Sequence, residues 1–326
     1  MFESENILLK CSHSAKKMGD FGLTDIDFSL PAGYILGVIG RNGSGKTTLT
    51  RLLAGSYQMD GEGEMILDGI SLQKDAVGYK RRIAYILNEN PFPQMIHARD
   101  CARIYGHYYE GFDRKKYEAL LKEFEVPEKV ILAKLSKGQQ IRQQLAFALS
   151  YEAKLYLLDE PAANLDVEFR DTFYQYVRGM VEDGRNSVIY ISHLVDELEQ
   201  LADYILWIGT RKDEEGRKGY QRFFGTMDEL REQFQLVEMT KQEFQKIATR
   251  SVQDTALLKK MITGEMIIGV REREHHQEML VQIDREGLPK ELQRASRYAC
   301  LKEIMYYVEK GDGKNETDID RALGGK

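Results

Sequence analysis

The stretch Gly40-Arg41-Asn42-Gly43-Ser44-Gly45-Lys46-Thr47-Thr48 decides the fold of this chain. It fits G-x-x-x-x-G-K-[ST], the P-loop, and the chemistry needs those residue types at that spacing. Glycines allow a tight turn that points a run of backbone N–H groups at phosphate oxygens. A helix opening at Lys46 adds the positive end of its dipole. Gly40, Asn42, Gly43, Ser44, Gly45 and Thr48 are thus read as the phosphate cradle. Lys46 is placed to reach the β- and γ-phosphates, and the Thr47 hydroxyl to ligate Mg2+. The flanks agree. Tyr34-Ile35-Leu36-Gly37-Val38-Ile39 is an apolar run of strand type, and Leu49, Leu52 and Leu53 follow at helical spacing.

The bulk properties frame the loop. A chain of 326 residues, 42% hydrophobic and 30% charged, has the size for two folded domains. Its net charge of −6 argues against nucleic acid held on a basic surface, so no nucleic-acid partner is expected. Cys11, Cys101 and Cys300 have no metal-ligand spacing and read as reduced thiols. Met1-Phe2-Glu3-Ser4-Glu5 lacks the basic and apolar regions of a signal peptide. No stretch approaches the roughly 18 apolar residues of a membrane span, so a membrane role would be exercised through another chain.

Upstream of the loop, residues 6–39 are β-rich. Downstream, Glu64-Met65-Ile66-Leu67 is a strand and Asp68-Gly69 a hairpin turn. Arg82 to Leu87 is another strand, and about residues 90–150 are helical, with Tyr117, Leu120, Leu121 and Phe124 on one apolar face. Leu155-Tyr156-Leu157-Leu158 and Ser187-Val188-Ile189-Tyr190-Ile191 are nearly unbroken apolar runs, as strands buried on both faces are. Strand–helix alternation of this kind predicts an α/β fold with a mostly parallel sheet covered by helices. A charged loop, the exposed tip of a hairpin, is expected over 211–218, with a capped helix at Thr226 and a domain boundary near 236. The division is therefore 1–235 and 236–326, the second part a small α+β extension. Its final helix is expected over 297–308 and a disordered polar tail from about 311.

Two further motifs sharpen the chemistry. Leu155 to Leu158 ends in Asp159-Glu160. In P-loop enzymes the first acid at such a strand end serves Mg2+, and the second is placed to polarise an attacking water. Leu135-Ser136-Lys137-Gly138-Gln139 precedes it, and here the chain resembles the ATP-binding cassette (ABC) family, whose signature is LSGGQ. The rest of that family's order follows across nearly all of residues 1–234. A Q-loop position falls at Asn88, a D-loop at Ala163-Asn164-Leu165-Asp166, and an H-loop at Ile191-Ser192-His193.

The resemblance implies an ABC cassette fold and a two-cassette sandwich that hydrolyses ATP with Mg2+. Lys46 and the loop amides would bind phosphates. Thr47 and Asp159, with Asn88, would serve Mg2+. Glu160 would activate water and His193 touch the γ-phosphate. Ser136, Gly138 and Gln139 would close over the ATP of a second cassette, and Asp166 would sit at the junction. Asn88 stands where the family has glutamine, one methylene longer. Met18 stands where an aromatic stacks on adenine, a role open to Phe21. Lys137 replaces a signature glycine, and the LSKG form looks like that of exporters for drugs, peptides or lipids. A permease subunit would dock near residues 88–110, for which Tyr105, Tyr108, Tyr109 and Pro91-Phe92-Pro93 are candidates. The chain would then lie at the cytoplasmic face of the membrane. An importer ATPase and a soluble ABC-type protein acting on ribosomes or DNA are the alternatives. The C-terminal part resembles the extension of some exporter ATPases, which implies dimerisation or regulation. His275-His276 reads as a solvated helix face rather than a metal site.

Overall fold

The computed structural model describes residues 6–213, 216–240, 242–243, 267–272, 276–288 and 290–311. They divide into two compact units, Met1–Phe224 and Gly225–Lys326. In the first unit the strands are β1 (Ile7–Met18), β2 (Phe21–Pro31), β3 (Ile35–Gly40), β4 (Glu64–Leu67), β5 (Ile70–Ser71), β6 (Ile83–Leu87), β7 (Leu155–Asp159), β8 (Ser187–Ile191), β9 (Tyr204–Asp213) and β10 (Gly216–Thr226). The helices are α1 (Lys46–Leu53), α2 (Ala76–Arg81), α3 (Asp100–Tyr105), α4 (Arg114–Glu123), α5 (Lys137–Ala148), α6 (Val167–Gly179) and α7 (Val195–Leu201).

All ten strands form one sheet in the order β5-β4-β1-β2-β10-β9-β3-β8-β7-β6. Its inner half is parallel: β3 pairs with β8 and β9, and β7 with β6 and β8. The apolar runs explain this. Every residue of β8 is buried, as are Ile35–Ile39 of β3 and Leu155–Leu158 of β7, which suits strands covered on both faces. From β5 to β2 the pairing is antiparallel, and Leu9, Lys10 and Cys11 of β1 read buried, exposed, buried there. The expected hairpin forms: Leu67 pairs with Ile70, and Asp68 and Gly69 take φ of 50° and 76°, the two positive values of a type I′ turn.

The expected helical region holds α3, α4 and α5. An aromatic cluster packs it: Phe147 of α5 lies 4.7 Å from Phe92 and 5.7 Å from Tyr117, ring centre to ring centre. The tyrosine trio splits. Tyr109 packs on Tyr151 and Phe147, Tyr105 on Phe92, and Tyr108 is exposed.

One expectation holds in part and three need correction. The charged stretch 211–218 does lie where β9 turns into its sheet neighbour β10, as a hairpin tip would, but much of it is strand, because β9 runs to Asp213 and β10 starts at Gly216, where β2 offers a parallel partner. In the second unit, α8 (Met227–Glu232) starts with the expected cap, Thr226 and Glu229 exchanging bonds as a capping box. It leads into β11 (Phe234–Met239), so the position 236 falls within a strand. Around β11 lie β12 (Ile267–Glu272), β13 (Gln277–Gln282), α9 (Lys290–Gln293) and β14 (Ser296–Tyr298), the sheet order being β12-β13-β11-β14. Arg297 therefore belongs to a strand, where its guanidinium pairs with Glu238 and Glu303, and the last helix, α10, runs Leu301–Gly311. Pairing with β11 overrides the helical pattern there. His276 precedes β13 and pairs with Glu278 at 3.4 Å, so it is not on a helix. His275 and the tail beyond 311 lie outside the described residues.

Leu157 is fully buried at the centre of the parallel sheet. Leu157→Ala should destabilise the first unit by about 2–5 kcal/mol through lost burial and a cavity. Urea denaturation measures it, and a shift under half a kilocalorie would contradict the packing described.

Candidate active site

The P-loop leaves β3 at Gly40. Gly40, Gly43 and Gly45 have φ of 155°, 76° and 109°, which L side chains resist. Space is short as well: a methyl group on Gly40 would lie 2.5 Å from Ser44 Oγ and 2.6 Å from Ile208 O. Gly45 caps α1 without a side chain, so the amides of Lys46, Thr47 and Thr48 have no acceptor within the helix. Ser44 Oγ is buried with no hydrogen-bond partner. Lys46 Nζ donates to Gly40 O at 2.6 Å. The helix-start amides and the Ser44 hydroxyl are donors that fit a polyanion. A cavity of about 390 Å3 opens over the loop, lined by Thr47, Thr48, Asp159, Glu160, Phe21 and Arg217 among others.

Parallel register delivers the acids and the histidine. Asp159 pairs with Ile191, so the ends of β7 and β8 lie side by side. Glu160 turns there into a left-handed conformation, φ 52°, rare for a residue with a side chain. Its N–H donates to Ile191 O at 2.9 Å. Its carboxylate oxygen Oε2 then lies 2.6 Å from His193 Nδ1. Burial, and next the neighbouring Glu160, push the Asp159 carboxyl above its ordinary value, with Lys46 and Arg51 opposing. Behind His193, the hydroxyls of Tyr190 and Ser192 both donate to buried Glu197, at 3.0 and 2.9 Å.

The signature residues lie elsewhere. Ser136 and Gln139 form a capping box at the start of α5, Ser136 Oγ accepting from Gln139 N at 3.1 Å and Gln139 Oε1 from Ser136 N at 3.0 Å. Gly138 abuts the D-loop, where a methyl group would lie 2.9 Å from Asn164 O. Asn164 Nδ2 donates to Asn88 Oδ1 at 3.3 Å. Asp166 caps α6 through Phe169 N and pairs with Arg142 of α5. The bond from Phe169 N comes first among the causes that hold its carboxyl below the ordinary value. The fold thus gathers Lys46, Thr47, Asp159, Glu160 and His193 in one place, and Gly138, Asn164, Asp166 and Asn88 in another. Ser136, Gly138, Gln139 and Asn88 do not line the P-loop cavity. Both adenine candidates flank the loop: the Thr48 hydroxyl points at Met18 Sδ, 4.0 Å away, and Phe21 packs on Gly45.

Several residues here carry no sequence motif. Gln144 of α5 exchanges bonds with Leu87, donating to its carbonyl at 3.0 Å and accepting from its N–H at 2.8 Å. Gln143 accepts from Asn90 Nδ2 at 3.0 Å. Arg217 reaches the loop from β10. Gln140, Gln143 and Gln144 are buried among the apolar residues of α5, which the fold shows and a motif search does not.

The site and sheet define a P-loop NTPase of mixed α/β build. Residues 23–163 match the family model described as ABC transporter, and the fold is that of the ABC ATPase cassette. Similar curated proteins include the ABC transporter ATP-binding protein YtrB of Bacillus subtilis, 31% identical over 57% of this chain and 63% of that protein. The Nod factor export ATP-binding protein I of Sinorhizobium fredii is 29% identical over 65% and 62%. The xylose import ATP-binding protein XylG of Photobacterium profundum is 34% identical over 61% and 41%. The chain spans less than two thirds of each of these three relatives. A solved ATP-binding subunit of an ABC transporter superposes with a TM-score of 0.60 at 23% identity, covering 69% of this chain and 92% of that one. The cassette MJ0796, seen as a dimer with ADP and phosphate, gives 0.56 at 20%, covering 67% and 98%. These structures share the fold.

Asp159 supplies a stability test. Its raised value favours the neutral form on folding, so its stabilising effect is full below the ordinary 3.8 and is lost as pH rises through the raised value. Asp159→Asn should therefore stabilise the ligand-free protein at neutral pH, with the gain shrinking on acidification. Urea midpoints across a pH series measure this, and a gain that does not vary with pH would count against it.

Proposed function

We propose that this chain is the ATP-hydrolysing subunit of an ABC transporter. The observation that carries the reading is the contact of Glu160 with His193, beside Asp159 and the P-loop at the ends of adjacent parallel strands. The match of residues 23–163 to the ABC transporter model supports it. In this reading Gly40, Asn42, Gly43, Ser44, Gly45 and Thr48 cradle the triphosphate, and Lys46 exchanges its bond to Gly40 O for phosphate oxygens. Glu160 takes the proton of the attacking water. His193 orients Glu160 and meets the γ-phosphate. Thr47 and Asp159 supply the hard oxygen donors Mg2+ prefers, with Asn88 as the further candidate, and the metal would neutralise phosphate charge.

The site is completed by a second cassette. Ser136, Gly138 and Gln139 lie apart from this chain's own P-loop cavity and present a helix N-terminus suited to another chain's γ-phosphate. Asp166 stands at the junction. No helix among the described residues is long and apolar enough to cross a membrane, so a separate permease is the transport pathway in this reading. Exposed Met95 and Tyr108, with exposed Pro91 and Pro93, form its docking surface within 88–110. In this reading the chain lies at the cytoplasmic face of the membrane. The LSKG signature and the likeness to the Nod factor export protein favour export. The likeness to the xylose import protein favours import as the second reading. The C-terminal unit is proposed to aid dimerisation or regulation.

Glu160→Gln should lower ATP turnover by about 10²–10⁴-fold while MgATP still binds and promotes dimers, read by phosphate release and light scattering. Wild-type turnover in that variant rejects Glu160 as the base. Detergent pull-down should recover a multi-span partner, and ribosomes or DNA in its place would reject the transporter reading. Transport into inside-out vesicles would mark export, and loss from them import.

A further inference from the structure

β10 reaches the P-loop from the far end of the first unit, and its backbone is fixed on both sides of Arg217. A methyl group on Gly216 would lie 2.4 Å from Asp20 O, and one on Gly219 would lie 2.0 Å from Ser44 O, so neither position accepts a side chain without displacing backbone. Arg217 N donates to Asp20 O at 3.0 Å, and Thr24 Oγ1 donates to Gly219 O at 3.1 Å. Between those clamps the guanidinium lies across the loop: Nη2 donates to Asn42 O at 2.9 Å, and a methyl group on Gly43 would meet Nη1 at 3.0 Å. In register beside it is Phe21, whose ring rests on Gly45. Both side chains line the same cavity as Lys46 and Thr47.

We infer that Arg217 is a second cation of the nucleotide site, donating to the phosphate oxygens of the bound triphosphate from the β10 wall. This rests on the P-loop binding a nucleotide, as proposed above. A guanidinium has five N–H donors in a planar fork, more than the bond to Asn42 O consumes, and it matches phosphate oxygens in pairs. It stands over Asn42 and Gly43 of the loop, and not beside Thr48 and Met18. Lys46 approaches from within the loop and Arg217 from outside it, so a triphosphate meets a charge on each side. The same guanidinium also braces the loop through Asn42 O.

Binding of MgATP to the purified full chain by calorimetry, with steady-state hydrolysis, tests this. Arg217→Ala should weaken MgATP about ten- to hundredfold, the range of one charge-assisted contact, raising KM with little change in kcat. Arg217→Lys should recover part of the affinity. Arg217→Gln keeps an N–H for Asn42 O but no charge, and should remain as weak as the alanine variant. Full recovery with glutamine would mean that Arg217 only braces the loop, and the inference falls. Wild-type affinity in Arg217→Ala, with affinity lost in Lys46→Ala, would also overturn it while leaving the nucleotide reading intact. A wild-type chain that binds no MgATP would overturn that reading itself.

Discussion

The register of three parallel strands is the constraint on which the site depends. β3, β8 and β7 are neighbours, and their pairing sets Ile191 beside both Val38 and Asp159. Gly40, Asp159 and His193 come from distant parts of the sequence, yet they converge because their strands end at one edge. A slip of one residue would turn Asp159 to the other face of the sheet. The slip is opposed by burial on both faces, since Leu157, Ile189 and Val38 are all fully enclosed. Core packing and the geometry of the candidate site are therefore the same interaction read at two points along the strands.

Helix α5 links the D-loop stretch to the end of β6. Its first turn holds the signature residues and rests on the D-loop, and its middle grips the end of β6 through Gln144. Buried amides are costly when unpaired, and here Gln144 spends its oxygen and nitrogen on one residue, Leu87. Gln143 bonds Asn90 and Tyr117, whose hydroxyl holds Ala98 O at 2.7 Å. The segment that begins at Asn88 is thus tied to the helix that presents Ser136. A short asparagine at 88 meets Asn164 rather than the P-loop cavity, so the departure from glutamine has a partner in the D-loop.

The sequence made the inner sheet legible because strands buried on both faces carry unbroken apolar runs, as β3, β7 and β8 do. The hairpin at Asp68-Gly69 was equally plain, since few residues accept two positive φ values. Legibility failed where a distant partner decides the local structure. Ser296–Tyr298 is a strand only because β11 lies beside it, and the charged residues near 211–218 extend into strands because β2 pairs with β10. Arg217 fell within the expected charged loop for the same reason: its partner, Asn42 O, belongs to the other end of the unit. Gln143 and Gln144 are polar letters in a helix, and only the fold reveals that they face inward.

The contact between β10 and the loop also has a meaning in time. Arg217 and Asn42 are separated by 175 positions. A ribosome adding roughly 5–20 residues per second needs on the order of 10–35 s to traverse that interval. Throughout it the nascent chain carries its phosphate loop without the strand that backs Ser44 or the guanidinium that pins Asn42. The first segment of the site to be made waits for the last, so maturation of the pocket is a late event of synthesis, and a chain halted before Gly216 would leave the loop with one wall missing.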